Sequence, residues 1–338
     1  MAVESTYRHI RRILVLGTTW LGDSVMTLPT IAGLRELFPR SHIAIAARHE
    51  VAELYRAVPA VDEIIAFQKK SGLRAVPALA ATAGRLHRGR FDLGLIFSRS
   101  FGAALMCVLA RIPHRVGFDA GIRNVLLSRS IERDRSILDV HQVHYYKKLL
   151  APLGLPQFPE LPELQVSADM REWARTLLEV GSGVPRGALV ALNPGATYGQ
   201  AKQWLPERFA ELAKRLVAHH GCRIVLIGAG AGRDLARQVG KGIEPYVLDL
   251  TGRTTVLQLA AVLACCDLLV TNDTGPMHVA YAVGLPLVAL FGSTDPKATA
   301  PLGSRSTVLA ADIDCSPCLK RTCTQGHYRC MEMISVER

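Results

Sequence analysis

Three short segments, each directly after an aliphatic, β-branched run, hold the side chains best suited to chemistry. The first is Thr271-Asn272-Asp273-Thr274-Gly275-Pro276-Met277-His278, which ends one such run and is expected to open a helix near Pro276 that continues to Gly284. Asn272, Asp273 and Thr274 are residue types that cap helices, and Gly275 lets a ligand approach the backbone closely. Free amides and the positive dipole end of that helix favour an anion such as phosphate, to which His278 in the first turn would add a hydrogen bond. A capped structural helix with a half-buried histidine would use the same residues, so this segment alone leaves both readings open. The second segment, Asn193-Pro194-Gly195-Ala196-Thr197, precedes Lys202 and Trp204 and a helix opened by Pro206. It offers hydroxyl, amide and ammonium donors to a diphosphate, although an isolated lysine is more often solvated surface. Asp273 admits a metal-ligand reading, with capping or hydrogen bonding preferred. The third segment, Gly228-Ala229-Gly230-Ala231-Gly232, approaches a dinucleotide fingerprint, but its third glycine falls one residue early and Arg233 stands in the required place. It reads as a nucleotide-cleft loop and argues against a nicotinamide-dependent oxidoreductase.

Near the N-terminus, Gly17-Thr18-Thr19-Trp20-Leu21-Gly22-Asp23 leads from an apolar run into a helical pattern. Asp23 there is either a structural cap or a carboxylate at the mouth of a cleft, with Thr18 and Gly22 in the same loop. Proline lacks an amide donor and clashes with the preceding turn, so Pro29 should kink the following helix.

These loops need a scaffold. Apolar runs of strand length at Arg12–Leu16, His42–Ala47, Glu63–Phe67 and Asp92–Phe97 alternate with helical spacing over Asp23–Phe38, Leu73–His87 and Phe101–Ala110. Four prolines between Pro152 and Pro162 suggest a linker. A helix near Asp169–Glu179 follows, and the rhythm restarts. Its strands are expected at Leu189–Asn193, Arg223–Ile227, Tyr246–Asp249, Leu268–Thr271 and Pro286–Phe291, and its helices include Pro206–His219 and Val256–Cys265. Strand–helix alternation implies parallel sheets. The expected architecture is two tandem Rossmann-like, doubly wound α/β domains, residues 1–160 and 161–338, with ligand at the carboxyl ends of the strands in the cleft between them.

The 338 residues suffice for two such domains, and with 49% hydrophobic and 20% charged residues nothing suggests disorder. No apolar run is long enough to span a bilayer, and the polar, basic start lacks a signal-peptide core, which points to the cytoplasm. Forty Lys and Arg against twenty-nine Asp and Glu give a net charge of +11, suited to a phosphorylated or anionic-lipid partner. No nucleic-acid motif accompanies the charge. Lys69, Lys70, Arg74, Arg85, Arg88, Arg90, Arg99, Arg111, Arg115 and Arg123 in the first half are candidates for that contact.

Taken in order, Gly22-Asp23 with Pro29, Asn193-Pro194-Gly195 with Lys202 and Trp204, Asn272-Asp273-Thr274-Gly275 with His278, and Gly284 to Gly292 resemble glycosyltransferase family 9. The resemblance runs from about Arg11 nearly to the end. It implies a glycosyltransferase-B-type fold, with the acceptor on the N-terminal domain and the nucleotide-sugar on the C-terminal one. It also implies inverting transfer of L-glycero-D-manno-heptose from ADP-heptose to heptosylated Kdo-lipid A at the inner face of the cytoplasmic membrane. Within the family the pattern is most similar to enzymes that add the second inner-core heptose; an earlier or later heptose step, or a non-catalytic binding protein, stays open. Asp23 matches the base, and Lys202, Thr274, Gly275 and His278 match positions around the donor diphosphate. No cofactor is implied for the chemistry. The resemblance also implies an acidic ribose-binding residue after the third loop; here only Asp234 follows the glycine run and it is not assigned. Ile334–Val336 reads as the opening of a final helix that relatives extend.

Cys315, Cys318, Cys323 and Cys330, with His327 among them, could hold a structural zinc, though their spacing differs from paired C-x2-C knuckles. Relatives with a similar cluster suggest a structural clasp. Cys107, Cys222, Cys265 and Cys266 sit in apolar runs and are expected in the core.

Overall fold

The structure, a computed structural model, describes residues 5–68, 70, 72, 75–154, 161–179 and 187–338. The chain divides into two compact units, Met1–Glu163 and Leu164–Arg338. In the first, strands β1 (Arg12–Leu16), β2 (His42–Arg48), β3 (Glu63–Phe67), β4 (Leu93–Ile96), β5 (His114–Phe118) and β6 (Arg129–Ile131) form one sheet in the order β3-β2-β1-β4-β5-β6. In the second, β7 (Leu189–Asn193), β8 (Arg223–Leu226), β9 (Val247–Asp249), β10 (Leu268–Asn272), β11 (Leu287–Phe291) and β12 (Ser306–Ala310) are ordered β12-β11-β10-β7-β8-β9. Every pairing is parallel. Counted from its own first strand, each sheet has the doubly wound order 3-2-1-4-5-6. Its switch point lies between β1 and β4 in one unit and between β7 and β10 in the other, and the carboxyl ends there are where ligands bind such folds.

Central strands are covered on both faces, which explains their unbroken apolar character: Ile13, Leu14 and Val15 of β1 are fully buried, as are Ala191 and Leu192 of β7. Helices at Ala75–Arg88 and Phe101–Leu109 close one face of the first sheet through Leu86, Ala104 and Cys107. In the second unit Phe209 of the helix Pro206–His220 packs with Leu192, Leu226 and Met331.

Several expectations are corrected. The helix expected at Asp23–Phe38 is two helices, Leu21–Met26 and Leu28–Leu37, parted at Thr27, whose hydroxyl donates to the Ser24 carbonyl at 2.6 Å. Pro29 therefore starts a helix, where its missing amide costs nothing, and does not kink one. Pro152 belongs to a 3-10 turn, Lys148–Leu153, and not to a linker; residues 155–160 lie outside the described residues, as do Lys69, Leu73, Arg74 and residues 1–4. Ile334–Val336 is not helical; the last helix is Arg329–Glu332, and the Ile334 carbonyl accepts instead from the Trp204 indole at 2.9 Å. Strands β5, β6 and β12 escape a hydrophobicity reading because they lie towards or at the sheet margins and carry polar residues, as edges do. Among the described residues, no helix is long and apolar enough to cross a membrane.

Candidate functional site

At the first switch point the loops after β1, β4 and β6 enclose a cavity of about 260 Å³. Thr18 and Asp23 come from the β1 loop and the helix it opens, Arg99 from the β4 loop, and Arg133 with Gln142, Tyr145 and Tyr146 from the chain after β6. Trp20, not Asp23, occupies the N-cap position of Leu21–Met26, so Asp23 is inside the first turn and lines the cavity. The buried Thr18 hydroxyl pairs with Ser24 at 2.8 Å and braces the loop, while Gly22 sits beside Asp23 in the same turn. Burial, and then the negative charge of Asp23, push the Tyr146 phenol well above its ordinary range. Tyr146 thus stays neutral and supplies a hydroxyl dipole. Its ring meets Phe97 edge-on at 5.5 Å, and Tyr145 stacks on Phe118 at 4.0 Å. The cavity therefore combines one carboxylate, two guanidiniums and rigid aromatic walls.

The basic residues of this unit are less uniform than their dispersal suggested. Arg123 is buried, donates to the Ser98 carbonyl at 2.8 Å and packs against Gly117. Arg115 is spent on the carbonyls of Leu126, Ile112 and Pro113, and Arg85 donates to that of Ala66. Of the basic residues expected from sequence to meet the partner, Arg99 lines the cavity. Arg133, Gln142, Tyr145 and Tyr146 were missed because nothing in their spacing marks a site; the adjacent tyrosines on one short helix were the one available signal.

At the second switch point the loops after β7, β8 and β10 converge. Asn193 is buried, and its amide donates to Thr271 at 2.9 Å and Thr274 at 2.7 Å. Asn272, fully buried, donates to the Pro194 carbonyl at 2.9 Å, with Asn193 and Gly195 carbonyls within 3.4 Å, and accepts the Trp204 amide at 2.9 Å. It staples the β7 loop to β10. Lys202 is not a solvated lysine: its ammonium lies 2.6 Å from the Asp273 carboxylate, which also accepts from Thr294 at 2.7 Å. The expected caps are corrected accordingly. Thr274 holds the N-cap position of Gly275–Ala282 without a side-chain cap bond, because its hydroxyl serves Asn193, while Asn272 and Asp273 face other partners. Gly275 is the first helical residue and His278, buried, the fourth. Gly228 adopts φ +145, which favours glycine, and approaches the Asn193 side chain. Gly195 is open and Thr197 exposed on the same loop. The arrangement presents helix amides, hydroxyls and one anchored ammonium, the means of holding a diphosphate without bulky side chains in the way. Asp234, by contrast, is exposed and paired with Arg237.

All eight cysteines are free. Backbone amides, that of Tyr328 foremost, draw the Cys323 thiol below its usual pKa, while burial pushes Cys330 up. Among the described residues no group of three or more His, Cys, Asp and Glu that could hold a metal ion is found, while Cys315, Cys318 and Cys323 lie near enough to Cys330 for their charges to help raise its pKa. Cys107 and Cys222 are buried as expected, whereas Cys265 and Cys266 are only partly so.

Two doubly wound parallel sheets, each with polar side chains gathered at its switch point, define a nucleotide-sugar transferase architecture of the glycosyltransferase-B type. The chain belongs to glycosyltransferase family 9 (heptosyltransferase), whose family model matches residues 79–329. Lipopolysaccharide heptosyltransferase 2 of Salmonella typhimurium is 31% identical over 337 residues, covering 97% of this chain and 96% of that one. The solved ADP-heptose lipopolysaccharide heptosyltransferase II of E. coli has a TM-score of 0.83 at 28% identity, covering 97% and 96%. E. coli heptosyltransferase WaaC, solved with ADP-2-deoxy-2-fluoro heptose, has a TM-score of 0.70 at 21% identity, covering 89% and 93%.

Proposed function

We propose that this heptosyltransferase moves heptose from ADP-heptose to a heptosylated Kdo-lipid A, adding the second heptose to the first with inversion. The observation that carries the reading is the cavity that sets the Asp23 carboxylate beside Arg99 and Arg133. A cavity of about 260 Å³ falls slightly below the usual range for a whole drug-sized ligand, ~300–1,000 Å³, and suits the reacting end of a larger acceptor. Asp23 takes the proton of the attacking hydroxyl as the sugar becomes oxocarbenium-like. Arg99 and Arg133 pair with phosphate or carboxylate groups of the core sugars. In the second unit Lys202 and the amides at Gly275, with Asn193, Gly195, Thr197, Gly228, Asp273, Thr274 and His278 around them, hold the donor and stabilise charge growing on departing ADP. The near-full-length likeness to proteins named heptosyltransferase 2 supports the choice of step. The acceptor places the enzyme peripherally on the inner face of the cytoplasmic membrane.

The test is ADP release from ADP-heptose with a heptose-I-bearing lipid A core. Asp23→Asn is expected to lower kcat by about 10²–10⁴-fold, the usual worth of general base catalysis, with donor KM nearly unchanged. Release that persists in this variant removes Asp23 from the base role. Release only with a shorter or longer core moves the enzyme to another heptose step.

A further inference from the structure

The Cys-rich stretch is folded against the loop that carries Lys202. The Ala201 amide donates to the Arg321 carbonyl at 3.0 Å, and the Tyr198 hydroxyl to that of Leu319 at 3.4 Å. The same stretch is fixed to the carboxyl end of β11: the Leu319 amide donates to the Ser293 carbonyl at 2.7 Å and the Ser316 hydroxyl to that of Gly292 at 2.6 Å. Approach is so close at Gly199 that a β-carbon there would stand 2.3 Å from the Arg321 carbonyl oxygen. Above this seam lies Tyr198, with the Lys202 ammonium and the Arg321 guanidinium each 5.0 Å from its ring centre.

The charges on the two cations are balanced differently. Lys202 is neutralised by the buried Asp273. Arg321 is exposed, and among the described residues no carboxylate pairs with it. A sugar-nucleotide diphosphate brings two negative charges, and one lysine already shared with an aspartate answers them incompletely. A guanidinium parked on an aromatic face is preorganised and weakly hydrated, and its planar fork matches phosphate oxygens.

We propose that Arg321 is a second diphosphate-binding cation of the donor site, carried by the Cys-rich stretch, which also braces the Lys202 loop. The proposal rests on the reading of the second unit as the donor site. It gives this stretch a role in recognition whether or not its thiols hold a metal.

The test is titration of the whole protein with ADP, and with AMP for comparison, for wild type, Arg321→Ala and Arg321→Lys. Hydrogen bonds to charged groups are worth about 1.5–3 kcal/mol, so Arg321→Ala should weaken ADP about tenfold or more. AMP should lose less, Arg321→Lys should recover part of the affinity, and the melting temperature should hold. ADP affinity in Arg321→Ala within about twofold of wild type overturns the proposal. So does a loss that falls equally on ADP and AMP together with a lowered melting temperature, since that marks a structural role. Absence of ADP binding by the wild type overturns the donor-site reading itself and the proposal with it.

Discussion

Asn272 carries no charge, yet it ties the loops after β7 and β10 together. It is fully buried, its amide is shared among the carbonyls of residues 193–195, and its carbonyl takes the Trp204 amide. Truncation would orphan a buried backbone N–H and several carbonyls, each costing about 1–3 kcal/mol when left unpaired. Asn272→Ala is therefore expected to destabilise the protein by about 2–4 kcal/mol and to weaken ADP binding. Urea denaturation would show the first effect, and a midpoint close to wild type would refute the staple. Residue types at this site were readable from sequence, but their partners were not. Asp273 and Thr274 look like caps because short polar side chains before a helix usually cap it. Here Lys202 and Asn193, 71 and 81 residues away, compete for them and win.

At the scale of elements, close packing beside the glycine run after β8 depends on Gly252 after β9. A β-carbon on Gly252 would stand 2.5 Å from the Gly230 α-carbon, and Gly252 also has φ +68. The loops after β8 and β9 thus meet backbone to backbone. A side chain at Gly252 combines a steric clash with an unfavourable backbone region, so Gly252→Ala should cost about 1–3 kcal/mol. Gly232→Ala, where the nearest atom is 3.7 Å away, should be nearly neutral. Equal melting temperatures for the two variants would count against this account.

For the whole molecule, eight of the eleven large hydrophobic side chains left exposed among the described residues belong to the first unit. Phe101, Ile122, Val125 and Leu138 follow β4, β5 and β6, on the same carboxyl edge of the sheet as the Asp23 cavity. Ile122 and Val125, 80% and 78% exposed, are three apart in a 3-10 turn and so share a side. With Arg99 and Arg135, the latter opening the helix Arg135–Leu138, on the same edge, this rim is where the anionic lipid surface of the proposed acceptor would dock. Burying such a side chain is worth about 1.5–3 kcal/mol, so an Ile122→Ser, Val125→Ser double variant should lose about tenfold or more of its binding to anionic vesicles. Its kcat on a detergent-dispersed acceptor should be retained. Undiminished co-sedimentation would rule the rim out as the docking surface.

Strand and helix alternation alone determined the doubly wound class, because central parallel strands are buried on both faces and must be apolar throughout. The order of polar segments at strand ends likewise marked Asp23, Lys202 and the Asn272–His278 turn, since a parallel sheet places every strand-to-helix loop on one edge. Tertiary structure decided what these residues touch. It turned Arg123 inward, anchored Lys202 on Asp273, brought Arg133, Tyr145 and Tyr146 to the Asp23 cavity, and laid the Cys-rich stretch against the Tyr198–Lys202 loop. Such pairings join positions tens to more than a hundred residues apart. Local spacing cannot encode them, because they depend on strand order and on which polar group reaches a buried partner first.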